Sequence, residues 1–213
     1  MKLALIGYGH AGRALALLLR HKRAEFPFLV TGIHTLRHGT AVAPEGLPDD
    51  PPFGPRAASI EEFLDAARAD IAVELTTLNP ATGEPAISHI RAAFARHMHV
   101  VTANKGPIAH AYAELRDEAA RAGVGFRFEA AAMDGAPVFN LWHYNLPGVK
   151  VLGFTGALNS TSKVVVEAME RGGSFEDGLK AARAAREGAS RCACGPKCWT
   201  AATSWPARPA LRT

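Results

Sequence analysis

Residues 2–21 read "KLALIGYGHAGRALALLLRH". Leu3 to Ile6 is a short apolar run of the kind a buried parallel strand shows, and Ala11 to His21 has the alanine and leucine density of a helix packed on a sheet. Between them stands Gly7-Tyr8-Gly9-His10-Ala11-Gly12, a G-x-G-x-x-G in the strand-turn-helix setting that gives the pattern its meaning. Gly7 permits the tight turn, Gly9 lets a pyrophosphate approach the backbone, and Gly12 lets the helix lie close to the strand. The free N–H groups at the helix start then bind the phosphate. The bland alternative is a glycine-rich turn with no ligand, and the flanking strand and helix weigh against it.

The end of the second strand chooses between NAD and NADP. "FLVTGIHTLRHG" predicts a strand over about Phe28 to His34, and no Asp or Glu follows to hold a pair of ribose hydroxyls. Thr35, Arg37 and His38 stand there instead. An arginine fork suits a phosphate, so Arg37 favours NADP and leaves NAD open; a solvated loop cation is the competing reading.

Outward from this start the pattern repeats. "SIEEFLDAARAD" opens on Ser59 with Glu61 and Glu62 in its first turn, a helix start matched to the dipole. "IAVELTT" reads as a buried strand and "EPAISHIRAAFARHMH" as an amphipathic helix. "VVTANKG" reads as a strand ending in polar residues, "AYAELRDEAARAG" as a helix capped by Gly123, and "VGFRFEAA" as another strand. Strands alternating with helices to about residue 130 predict a Rossmann-type, doubly wound parallel α/β sheet. Ligands of such sheets gather at the carboxyl ends of strands, where Thr76, Thr77, Asn104, Lys105 and Glu129 fall.

Composition excludes several alternatives. With 213 residues, 48% hydrophobic and 21% charged, the chain suffices for one domain with a proper core and part of a second. The net charge of +4 is spread among acids, with no basic run of the nucleic-acid kind. The apolar run at the start breaks at Gly7, short of a signal peptide, and no segment has the length of a membrane span. No cysteine occurs before Cys192, so a disulfide framework is absent and a cytoplasmic location is expected.

Four stretches, "VELTTLNPA", "HVVTANKGPIA", "FEAAAMDGAPVFNL" and "GALNSTSKVVVEAMERGGSFEDGLKAAR", resemble the homoserine dehydrogenase family in order and spacing. The likeness covers residues 1 to about 188. It implies NAD(P)H-linked interconversion of aspartate 4-semialdehyde and homoserine, on the route to threonine and methionine. It also implies a Rossmann domain over 1–130 and the start of an α+β substrate and dimerisation domain over 131–188. Lys105 resembles the lysine beside nicotinamide and substrate, where a cation stabilises charge on the carbonyl oxygen. Thr76 resembles the cofactor-contacting threonine. Glu129, Ala132, Asp134 and Ala136 match positions that hold a sodium or potassium ion through main-chain oxygens. Asn159-Ser160-Thr161 leads into a helix starting near Ser162, Gly172-Gly173 closes it, and Ser174 caps the next, with Glu176 and Asp177 in its first turn.

Beyond Gly188 the resemblance stops. The family continues with a glutamate-bearing turn and a helix carrying D-x-x-x-K, whose lysine is the expected proton donor. Here residues 189–213 contain "RCACGPKCWTAATSW" instead. Cys192, Cys194 and Cys198 make a poor zinc set, with three ligands, no histidine in the tail and odd spacing. Codons offer another reading: Cys198-Trp199-Thr200 must be TGY-TGG-ACN, which from each third base reads Leu-Asp. Suitable codons for Thr203-Ser204-Trp205 extend this to L-D-x-x-x-K-L. A shift of reading frame thus accounts for the tail, and an impaired catalytic end and a doubtful homodimer are expected. The contrasting readings are a non-catalytic nucleotide-binding remnant and a different Rossmann oxidoreductase; "VTANK" and "GALNSTS" together disfavour the latter.

Overall fold

The computed structural model describes residues 1–132, 136–153 and 160–191; Asp134, Asn159 and the three cysteines lie outside them. The first strand, β1 (Lys2–Ile6), sends alternate side chains to opposite faces. Leu3 and Leu5 meet Leu19, Ile33 and Val73 on one side, while Ala4 and Ile6 meet Phe63, Ile90, Val100 and Leu115 on the other. A strand buried on both faces accounts for the unbroken apolar run.

From there the chain alternates. It runs through α1 (His10–His21), β2 (Leu29–Thr35), β3 (Gly39–Val42), α2 (Ile60–Ala67), β4 (Ile71–Glu74), α3 (Ala86–Phe94), β5 (His99–Thr102), α4 (Lys105–Ala122) and β6 (Phe126–Arg127). The sheet order is β3-β2-β1-β4-β5-β6. Its strands pair in parallel except β3, which is antiparallel to β2. Strand order reverses direction at β1, so the crevice beside its carboxyl end is the place for a ligand.

Three details depart from the sequence reading. The edge strand β3 falls where the sequence pattern predicts no element. Its entry is a tight turn in which His38 N–H donates to Thr35 Oγ1 at 2.8 Å and Thr35 Oγ1 donates to the Gly39 carbonyl at 3.1 Å. The helix expected from Ala111 begins at Lys105, because the Asn104 side chain accepts from Gly106 N–H and caps it. Non-helical torsions at Ala111 divide α4, and the Gly106-Pro107 pair hides the first part from a periodicity count. The last expected strand shrinks to Phe126–Arg127, and Glu129–Ala131 turns as a 3₁₀ helix.

The chain divides into two compact units, Met1–Lys150 and the residues from Val151 on. Within the second, α6 (Ser160–Glu170) and α7 (Phe175–Arg191) pack together. Gly178 allows this approach, since a Cβ there would lie 2.9 Å from the Val165 carbonyl oxygen. Ser174 and Asp177 form a reciprocal cap: Asp177 N–H donates to Ser174 Oγ, and Ser174 N–H to Asp177 Oδ2, each at 3.1 Å. Helix α7 runs to Arg191, past Gly188, where the family resemblance stops.

Candidate functional site

The turn after β1 is built by close approach. Gly7 has φ +104°, and a Cβ there would stand 2.6 Å from the Leu75 carbonyl oxygen, so strand β4's exit presses on the loop. At Gly12 a Cβ would lie 2.7 Å from the Gly7 carbonyl oxygen, which is how α1 closes on the turn. Gly9 differs from both. Its φ is −78° and nothing stands within 4 Å of a Cβ built on it. Neither local strain nor packing demands glycine there; what it leaves is open space at the head of α1. That head carries no side-chain cap and no acid in its first turn, so its N–H groups remain available to an anion.

The open space belongs to a cleft of about 770 Å³ lined by the glycine loop, the exit of β2, the segment before α2, the exit of β4 and the start of α3. Gly7, Tyr8, Gly9, His10, Arg37 and Thr76 all line it, as the sequence reading expected of a cofactor site. Ala11, Gly12 and Lys105 do not. Arg13, His34, Arg56 and His89 also line it, and among the described residues no Asp or Glu does. None of these four stands in a motif. Arg13 follows one helical turn after Gly9, a spacing that could have revealed it, whereas the others come together only through the fold.

Two histidines in the cleft are held neutral. Burial is the main cause for His34, with repulsion from a protonated His89 and from Arg56 adding to it, and its pKa falls below the ordinary histidine value. Burial also dominates at His89, against the opposing charges of Glu74, Glu84 and Glu61. The His89 Nδ1 is buried with no hydrogen-bond partner.

Where β4 and β5 end, the polar residues bind one another. Glu74 is fully buried. Its Oε1 accepts from Thr76 N–H at 2.8 Å and Thr76 Oγ1 at 2.5 Å, and its Oε2 accepts from Thr102 Oγ1 at 2.7 Å. Thr102 Oγ1 in turn accepts from Asn104 N–H, and Asn104 Nδ2 donates to the Thr76 carbonyl at 3.3 Å. Lys105, exposed at the first position of α4, is tied to Thr76 through Asn104. Glu74 was missed from sequence, although an acid ending an otherwise apolar strand ahead of two threonines was a signal.

The Glu129 carboxylate is engaged differently: it caps α5 (Val138–Asn140), accepting from Phe139 and Asn140 N–H at 2.9 and 3.1 Å. The carbonyls of Glu129 and Ala136 accept from Ala132 and Val138 N–H, and Asp134 lies outside the described residues. Among the described residues no cluster of three or more His, Cys, Asp or Glu could hold a metal ion, and the described surroundings of Glu129 carry no case for a monovalent cation. No helix among the described residues is long and apolar enough to cross a membrane.

A Rossmann-like sheet with a glycine loop opening a basic crevice at the strand reversal defines a dinucleotide-binding protein. Residues 7–129 match the family model described as homoserine dehydrogenase, NAD binding domain. The NAD(+)-dependent homoserine dehydrogenase of Pseudomonas canavaninivorans is 38% identical, over 86% of this chain and 58% of that protein. The homoserine dehydrogenase of Methanocaldococcus jannaschii is 35% identical over 86% and 60%. Among solved structures, homoserine dehydrogenase from Thermoplasma acidophilum superposes with a TM-score of 0.71 at 26% identity, covering 84% of this chain and 59% of that one. The chain belongs to the homoserine dehydrogenase family, whose members are NAD(P)-dependent oxidoreductases. It spans about three-fifths of the length of the curated relatives it matches.

Proposed function

We propose that this chain carries the dinucleotide-binding part of a homoserine dehydrogenase and takes NADP(H) in preference to NAD(H). The observation that carries this reading is the open space at Gly9, set at the head of α1 in a cleft whose lining includes Arg13, Arg37 and Arg56 and no acid. The loop from Gly7 to Gly12 would hold the pyrophosphate, and the exposed Arg37 at the exit of β2 would meet a 2′-phosphate. The Pseudomonas canavaninivorans relative is an NAD(+)-dependent enzyme, which favours the second reading, NAD as the working cofactor. The chemistry of the cleft weighs the other way, because ribose hydroxyls would find no carboxylate to donate to among its described lining residues.

For the whole protein we propose the family reaction, interconversion of aspartate 4-semialdehyde and homoserine. When bound, the dinucleotide supplies the hydride that reduces the aldehyde carbon. Lys105 would stabilise the negative charge gathering on the carbonyl oxygen, and the Glu74–Thr102–Asn104 network would fix the helix head from which it projects. Residues 189–213 hold no D-x-x-x-K, so this chain by itself is expected to bind dinucleotide with little turnover of homoserine. Fluorescence titration of the chain with NADPH and NADH tests the reading. Tighter binding of NADPH, with the preference lowered about tenfold by Arg37→Ala, is expected. A preference for NADH, or one indifferent to Arg37→Ala, would contradict it.

A further inference from the structure

Besides the loop residue Arg37, the end of β2 itself brings a side chain to the cleft, His34. His34 pairs with Ile6 in the parallel register, and its carbonyl accepts from Gly7 N–H at 2.9 Å. Its backbone is therefore pinned directly beside the glycine loop. Across the β2–β3 ladder His34 faces Thr40. The two side chains meet: His34 Nδ1 and Thr40 Oγ1 are 2.9 Å apart. The ring also leans on Phe63 of α2, with centroids 5.2 Å apart.

The proton on this ring can be assigned from its neighbours. Thr40 Oγ1 already accepts from Ala57 N–H at 3.1 Å. Among the described residues the hydroxyl hydrogen has no other acceptor than His34 Nδ1. The arrangement that uses every hydrogen has Thr40 donating to Nδ1, which leaves the ring proton on Nε2. Burial and the nearby Arg56 and His89 keep the ring neutral, in agreement with that tautomer. Nε2 has no hydrogen-bond partner among the described residues and is not sealed from solvent, and the residue lines the cleft. The strand end thus offers an N–H donor where a carboxylate acceptor would hold ribose hydroxyls.

We propose that His34 is a specificity-determining residue, its Nε2–H donating to the phosphate monoester that distinguishes NADP(H) from NAD(H), beside Arg37 and Arg56. This rests on the dinucleotide reading of the cleft. The Thr40 contact is part of the device, since it turns the ring and places the proton.

Two isosteric substitutions separate the roles of the ring nitrogens. In His34→Asn the amide sits where Nδ1 was, keeping the reach to Thr40 and removing the cleft donor. In His34→Gln an amide N–H reaches the place of Nε2. Titration of the folded chains with NADPH and NADH, with circular dichroism as the check on folding, is expected to show NADPH weakened about ten- to a hundredfold in His34→Asn, as for a hydrogen bond to a charged group. In His34→Gln NADPH should stay within about threefold, and NADH should change little in either. Equal loss of NADPH and NADH in His34→Asn would overturn the assignment while leaving the dinucleotide reading intact, as would an unaltered NADPH affinity. Failure of the unaltered chain to bind either nucleotide would overturn both.

Discussion

The carboxyl ends of β2 and of the β4–β5 pair lie in one sheet and both carry polar side chains, yet they are opposite in state. At the β4–β5 end a fully buried carboxylate and two threonine hydroxyls satisfy one another, and Asn104 seals the group to the helix behind it. At the β2 end His34 keeps a free ring nitrogen, Arg37 and His38 are exposed, and the Gly9 space opens alongside. Polar groups that are paired inside the protein act as structure, and polar groups with spare donors facing a cleft act on a ligand. The first end holds the loops still; the second is left with polar groups open to a ligand.

This contrast is broken most severely at Glu74. Replacing it by alanine takes the acceptor from Thr76 N–H, Thr76 Oγ1 and Thr102 Oγ1 at once and leaves a void beside them. A loss of about 3–5 kcal/mol in urea unfolding is expected. Arg37→Ala at the open end should cost less than about 0.5 kcal/mol. A mild Glu74→Ala variant would mean that the β4–β5 network is not what holds this end of the sheet.

A smaller effect comes from the cleft histidines. The folded pKa values of His34 and His89 lie below the ordinary histidine value of 6.5. The unfolded chain therefore takes up protons first as pH falls, so stability is full above about 6.5 and declines as pH drops toward the folded values. The urea midpoint should fall between pH 7.5 and 5.5, with a flatter profile in His89→Leu. A midpoint that rises on acidification over that range would contradict the neutral assignment of both rings.

Much of this was legible in the chain itself, for a local reason. The turn at Gly7 needs a positive φ and Gly12 a missing Cβ, demands that a few consecutive residues settle, so the phosphate loop and the first strand and helix could be read directly. The Ser59 cap and the Ser174 cap are equally local, and both helices begin where expected. The rest depends on partners far along the chain. The second oxygen of Glu74 finds its partner in Thr102, 28 residues away, and the role of Thr40 requires β3, a four-residue edge strand with a single neighbour. Arg56 reaches the cleft from a loop without periodicity. Lys105 was read as part of a polar strand end, whereas β5 stops at Thr102 and Lys105 opens a helix, because Asn104 caps a start that the Gly106-Pro107 pair disguises.

The central claim is that the space at Gly9 is kept for a dinucleotide and not for the fold, and Gly9→Val tests it most directly. A Cβ built there meets nothing within 4 Å beyond its chain neighbours, so the variant should fold with a melting temperature within a few degrees of the parent. Its branched side chain would stand where the pyrophosphate must approach, and NADPH binding measured by fluorescence titration should weaken by about a hundredfold or more. A folded Gly9→Val chain that binds NADPH as tightly as the parent would contradict the assignment of the cleft.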